Sequence, residues 1–203
     1  MALPPLPLGP FDRLSEAERR HSLRETLQQI PELDDVWVFA YGSLMWNPCF
    51  AVAERHHATL HGYSRAFSIF TVEARGTPAQ PGLGLALQPG GTCEGFVLRI
   101  DDDALDAGLD SLWAREMLTG IYSPAWVSVA ATNRDITAVT FVVNAIHAQY
   151  ARDIPLAEQV QLIRGAHGKF GSCRDYLADT VAALRSVGVD DAQMTSLLEL
   201  VDG

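Results

Sequence analysis

Cysteine is scarce in this chain of 203 residues, and the three present follow no pattern. Cys49, Cys93 and Cys173 are an odd number without C-x-x-C spacing, which excludes a disulfide framework and a zinc cage and suits a reducing cytoplasm. Basic residues are few: 15 Lys and Arg against 25 Asp and Glu leave a formal net charge of −10, and no basic run occurs. Phosphate binding draws its affinity from clustered cations, so nucleic acid is not an expected partner. No stretch approaches the ~18 consecutive apolar residues of a membrane span, so no membrane is expected either. The apolar start, MALPPLPLGP, has no basic region, contains four prolines and precedes no small-residue cleavage site. It makes a poor signal peptide and reads as a loose polyproline-like arm.

What is present is an ordinary globular composition, 48% hydrophobic and 20% charged, in a chain long enough to bury about 70% of its unfolded surface. We find no repeat and no interdomain linker. The expected organisation is an N-terminal arm and helix over 1–35, then a single domain over 36–203.

Ser15-Glu16-Ala17-Glu18 is a capping box, followed by Leu23, Leu27 and Ile30 at helical spacing until Pro31, which predicts a peripheral amphipathic helix. From Val36 the period changes. VWVFAY, ATLHGYSRAFSIFT (Ala58 to Thr71), LGLAL (Leu83 to Leu87) and CEGFVLRI (Cys93 to Ile100) read as strands, the last two joined by a hairpin turn at Gln88-Pro89-Gly90-Gly91-Thr92. Asp101 to Asp103 start a helix carrying Leu105, Leu109, Leu112 and Trp113. AWVSVAAT and ITAVTFVVNA form a further hairpin across Asn133-Arg134-Asp135. The last third is helical, with starts at Pro155, at Ser172 with Asp175, and at Asp190-Asp191. Hairpins outnumber βαβ units, which points to an α+β fold with a small antiparallel or mixed β-barrel flanked by α-helices.

Two segments carry candidate chemistry. At Tyr41-Gly42-Ser43-Leu44 a buried strand ends in small residues; successive N–H groups there can form an anion nest, and glycine lets a ligand oxygen approach. An ordinary strand-ending turn has the same composition. Glu116 lies among Trp113, Met117, Leu118 and Ile121, surroundings that desolvate a carboxylate and raise its pKa, with Arg115 adjacent to oppose the rise. A solvated glutamate at a helix end is the competing reading.

YGSL closing a first strand, the R-E-x-x-x-G context of Glu116, GYSRAFSI (Gly62 to Ile69) and GSCRDYLADTVAAL (Gly171 to Leu184) form an ordered set. Over roughly Val36 to Val201 this set resembles the ChaC-type γ-glutamylcyclotransferases. The resemblance implies a small barrel with flanking helices and cleavage of γ-glutamyl peptides, glutathione above all, to 5-oxoproline and cysteinylglycine, with no cofactor and no metal. By position, Tyr41, Gly42, Ser43 and Leu44 would hold the γ-glutamyl group, Glu116 would be the acid/base, and Tyr176 would reach the substrate. Arg115 and Arg65 would be further substrate contacts. Two departures stand out. Ile121 separates Gly120 from Tyr122, which puts Tyr122 in doubt as a substrate contact, and the long N-terminal segment looks like the longer bacterial form.

The chemistry fits these residue types. Cyclisation needs the substrate's own α-amine, whose ordinary pKa is near 8, to attack its γ-carbonyl, and a base must first take a proton. One semi-buried carboxylate can take that proton and return it to the leaving amine. Action on other γ-glutamyl amines or amino acids is a second reading. A non-catalytic regulatory protein linked to ion transport is a third, and it leaves a buried acid/base without use.

Other signals carry less. His56, His57 and His61 lack a completed ligand set, so no metal site is expected. Cys49 resembles a small buried hydrophobe more than a nucleophile. Gly165, Gly168 and Gly171 match no nucleotide fingerprint and read as turns.

Overall fold

The computed structural model describes residues 8–30 and 35–203. Most of the proline-rich arm, and Pro31, therefore lie outside the described residues. By their packing these residues divide into two compact units. One comprises Ala66–Ala86 and Ala145–Gly203 with residues 8–11; the other comprises Asp12–Arg65 and Leu87–Asn144.

The second unit begins with α1 (Glu16–Gln28), where the capping box forms as expected: Ser15 Oγ accepts from the Glu18 amide at 3.2 Å and Glu18 Oε2 from the Ser15 amide at 2.7 Å. Leu23 and Leu27 are only half-buried, and Thr26 is the one fully buried residue of the helix. The strands are β1 (Trp37–Ala40), β2 (Val52–Thr71), β3 (Gly82–Ile100), β4 (Tyr122–Ala131) and β5 (Arg134–Val143), of which residues 66–71 and 82–86 are counted in the first unit. They close into a barrel in the order β1-β3-β2-β4-β5, with β3 also pairing with β5, so the expected mixed barrel is present.

β1 is buried at all four positions, which is why its sequence is an unbroken apolar run with no alternation. It pairs antiparallel with β3, Trp37 opposite Arg99 through Ala40 opposite Phe96. A Cβ at Gly95 would lie 2.4 Å from the Ala40 carbonyl oxygen, so only glycine lets β3 approach this closely. On its other side β1 meets β5 in parallel through the pair Val38 and Val139. Two hydroxyls reinforce that seam: Thr140 Oγ1 donates to the Phe39 carbonyl at 3.0 Å and Tyr41 Oη to the Phe141 carbonyl at 2.8 Å.

Two expected turns are corrected. Gln88 to Thr92 is no hairpin; the chain continues as one strand from Gly82 to Ile100. Gly90 and Gly91 have φ of 99° and 80°, and a Cβ on Gly91 would lie 3.3 Å from the Ser64 Cβ. The glycine pair bends the strand alongside β2 without reversing it, the local behaviour of a bulge. The β4–β5 turn is shorter than expected: Ala131 pairs with Arg134, leaving Thr132 and Asn133 as a two-residue connection.

After β3, Asp101 caps a 3-10 turn that leads into α2 (Leu105–Glu116). Leu109, Leu112 and Trp113 bury the inner face of α2, and Trp113 meets Phe141 edge-on with ring centroids 5.3 Å apart.

The first unit is mainly helical: α3 (Leu156–Gly165), a minimal hairpin of β6 (His167–Gly168) and β7 (Gly171–Ser172), α4 (Cys173–Arg185) and α5 (Ala192–Asp202). Ser172 caps α4 and Asp191 caps α5. Among the described residues no helix is long and apolar enough to cross a membrane.

Candidate active site

β1 runs through Tyr41 and Gly42 into a single 3-10 turn, Ser43–Met45. Buried Leu44 and Met45 anchor this turn to the core. Its internal bonds use the Met45 amide, on the Gly42 carbonyl at 2.8 Å, and the Asn47 amide, on the Ser43 carbonyl at 2.9 Å. Among the described residues the amides of Gly42, Ser43 and Leu44 make no hydrogen bond. The first N–H groups of any helical turn lack internal acceptors, which leaves donors for a ligand oxygen.

The turn is pinned from behind. Tyr41 is buried, with its hydroxyl on the β5 backbone. The Arg65 guanidinium, 2% exposed, donates through Nη1 to the Tyr41 carbonyl at 2.6 Å and through Nη2 to the Glu94 carbonyl. Both residues, expected as substrate contacts, thus lie against the turn, with bonds to its backbone and to β5 and β3.

Glu116 is the last residue of α2, in register with Leu109, Leu112 and Trp113 at i, i+3, i+4 and i+7. The apolar stripe thus draws a carboxylate inward. Its side chain is 15% exposed, with Arg115 Nε 3.3 Å from Oε1. Burial pushes the carboxyl pKa above the ordinary glutamate range, and the Arg115 charge opposes that rise without cancelling it.

Arg115 joins the two segments that the sequence singled out. Its Nη2 donates to Ser43 Oγ at 2.7 Å and its Nη1 to the Asn47 carbonyl at 2.7 Å, while Nε faces Glu116. One planar guanidinium therefore fixes the carboxylate relative to the turn. Asn47, which takes part through its main-chain amide and oxygen, carried no sequence signal.

Cys49 stands within electrostatic reach of both Arg115 and Glu116. Burial is the largest influence on its thiol and pushes its pKa up, so it stays protonated and is no thiolate nucleophile.

Tyr176 belongs to the other unit, on α4, where it is buried. Its ring lies edge-on to Phe67 at 5.7 Å, with the Arg75 guanidinium 5.3 Å from its centroid. Tyr122 opens β4 opposite Val143. The histidines find separate neighbours: His56 with Glu54, His57 with Glu94 at 2.8 Å, and His61 near Thr92. Among the described residues no group of three or more His, Cys, Asp or Glu is arranged to hold a metal ion.

A family model described as ChaC-like protein matches residues 36–203. The chain is 37% identical over 185 residues to the glutathione-specific gamma-glutamylcyclotransferase of Escherichia coli (strain K12), across 91% of this chain and 80% of that protein. It is 27% identical over 175 residues to gamma-glutamylcyclotransferase 2-3 of Arabidopsis thaliana, across 82% and 88%. Its fold is shared with a crystal structure of a glutathione-specific gamma-glutamyl cyclotransferase from yeast, with a TM-score of 0.77 at 22% identity over 83% of this chain and 96% of that one. A match that takes in both the turn and the buried glutamate, with a relative sharing more than a third of its residues, places this chain in the ChaC-like protein family.

Proposed function

We propose that the protein is a γ-glutamylcyclotransferase that degrades glutathione in the cytoplasm. The observation that carries this reading is the connection Ser43–Arg115–Glu116, which sets a semi-dry carboxylate beside a turn with uncommitted amides. The names of the E. coli and yeast relatives support glutathione as substrate. Three free cysteines suit a reducing compartment.

Glu116, as the carboxylate, takes a proton from the substrate's α-ammonium. The freed amine attacks the γ-carbonyl carbon, forming the C–N bond of 5-oxoproline. The attacking nitrogen gives up a second proton on becoming the lactam N–H, the bond between that carbon and the cysteinyl nitrogen breaks, and Glu116 passes the two protons in turn to the departing nitrogen, which leaves as an ammonium, so no net proton is consumed. Nucleophile and electrophile belong to one molecule, and holding the glutamyl chain curled supplies effective molarity. The amides of Gly42, Ser43 and Leu44 are suited to the developing oxyanion or to the α-carboxylate that fixes the curl. Arg115 orients Glu116, and Tyr41 and Arg65 keep the turn in shape.

Incubation with glutathione, followed by chromatography for 5-oxoproline and cysteinylglycine, is the test. Equal release of both products is expected. No release from glutathione, with turnover of γ-glutamyl amino acids, would move the assignment to those substrates; no turnover of any γ-glutamyl compound would refute it.

A further inference from the structure

The helix α1 lies outside residues 36–203, the part matched to the family, and buries little of its own surface. It is nevertheless fastened at specific points, which fall around the segment that carries Glu116. Trp113, one turn before Glu116, donates its indole Nε1–H to Ser22 Oγ at 3.2 Å. The Leu14 amide donates to the Leu118 carbonyl at 2.9 Å, two residues after Glu116. The Leu14 side chain covers Gly120, whose φ of 77° suits glycine and where a Cβ would lie 3.6 Å from Leu14 Cδ1. Trp126, on β4, donates its indole N–H to the Thr26 carbonyl at 2.8 Å. Arg19 Nη1 closes the start of the helix on the Leu14 carbonyl at 2.5 Å.

These bonds are selective. Trp113 is 1% exposed and its N–H requires an acceptor, which α1 supplies. From there α2 carries the constraint one turn onward to Arg115 and Glu116. Leu14 constrains the same carboxylate from the other side, through the turn that follows Met117.

We infer that α1 is a positioning element of the active site: Ser22 and Leu14 clamp the chain on both sides of Glu116 and so hold its carboxylate against the Ser43 turn. This rests on the functional reading above. Neither residue touches substrate, so their loss acts on the chemical step, through misplacement of the proton-transferring group, and leaves substrate binding intact.

The test uses the full chain with Ser22→Ala, Ser22→Thr, Leu14→Ala and, as a control on the same helix, Arg20→Ala, whose side chain pairs only with Glu16 among the described residues. Each is assayed for 5-oxoproline release well below its thermal midpoint. Ser22→Ala is expected to lower kcat about 3- to 10-fold, the range of one lost hydrogen bond, and Leu14→Ala, which keeps its amide bond to Leu118 but loses the side chain over Gly120, to lower kcat about 2- to 10-fold, each with KM within about 2-fold of wild type. Ser22→Thr, which keeps the hydroxyl, restores kcat, and Arg20→Ala matches wild type. Unchanged kcat in both Ser22→Ala and Leu14→Ala, a change in KM alone, or failure of Ser22→Thr to rescue would overturn the inference while the functional reading stands. An inactive wild type overturns both.

Discussion

Replacing Glu116 by Gln keeps the shape of the side chain and removes its charge, so it separates what the carboxylate does for catalysis from what it costs the fold. Two opposing contributions act on the ionised form. Attraction to Arg115 at 3.3 Å is worth about 5 kcal/mol at an effective dielectric of ~20 and about 1 kcal/mol in bulk water. Desolvation outweighs it, because the carboxyl pKa stands above its ordinary value. The folded state thus holds this proton more tightly than the unfolded chain. Wild-type stability therefore falls as pH rises from the ordinary glutamate value, about 4.3, through the raised folded value. The glutamine variant lacks that loss.

It follows that Glu116→Gln has the higher thermal midpoint at pH 8, and that the gap closes as the pH approaches 4. Each unit of pKa elevation is worth about 1.4 kcal/mol, and each kcal/mol moves the midpoint by about 2–4 °C in a chain of this size. Activity moves the other way: loss of a general acid/base lowers kcat by about 10²–10⁴-fold. Calorimetry across pH 4–8, beside product release from glutathione, measures both. In wild type the acid limb of kcat/KM gives the Glu116 pKa independently, and the two values must agree. A variant less stable than wild type at pH 8 would show that burial does not destabilise the carboxylate, and one retaining near-normal turnover would show that it is not the proton carrier.

The other predictions concern the supports of the site. Arg65→Met removes two hydrogen bonds, to the Tyr41 and Glu94 carbonyls, and at about 0.5–1.5 kcal/mol for each the variant should lose about 1–3 kcal/mol in chemical denaturation. A loss below 1 kcal/mol would mean that the guanidinium is not the brace described. Tyr176→Phe keeps the ring packing on Phe67 and Arg75, so its midpoint should stay within about 3 °C of wild type. The substrate contact implied by family resemblance predicts a KM rise of about 2- to 12-fold, and an unchanged KM would remove Tyr176 from substrate binding.

Where side-chain period or capping chemistry decided an element, the sequence was readable. Ser15, Ser172 and Asp191 each start the helix they announced, and the uninterrupted β1 pattern reflects burial on both faces. Gln88 to Thr92 misled because Pro-Gly-Gly is turn chemistry. Whether glycines with positive φ reverse a strand or only bend it depends on the neighbouring strand, here β2 at Ser64, which no local pattern reveals. Glu116 was readable because its apolar neighbours lie close in sequence. That Arg115 reaches Ser43, or that Arg65 ends on the Tyr41 carbonyl, was not. Both are meetings of residues remote in sequence, fixed by barrel closure.

The seam between β1 and β5 has a further consequence. With one registered backbone pair, closure there is shared with the hydroxyls of Tyr41 and Thr140, and the same tyrosine leads directly into the proposed substrate-binding turn. Local breathing of the barrel and loss of catalytic shape are then a single event. The chain can be silenced by a partial loosening that leaves its strands and helices standing, and inactivation by mild heat or denaturant should precede the collapse of the fold.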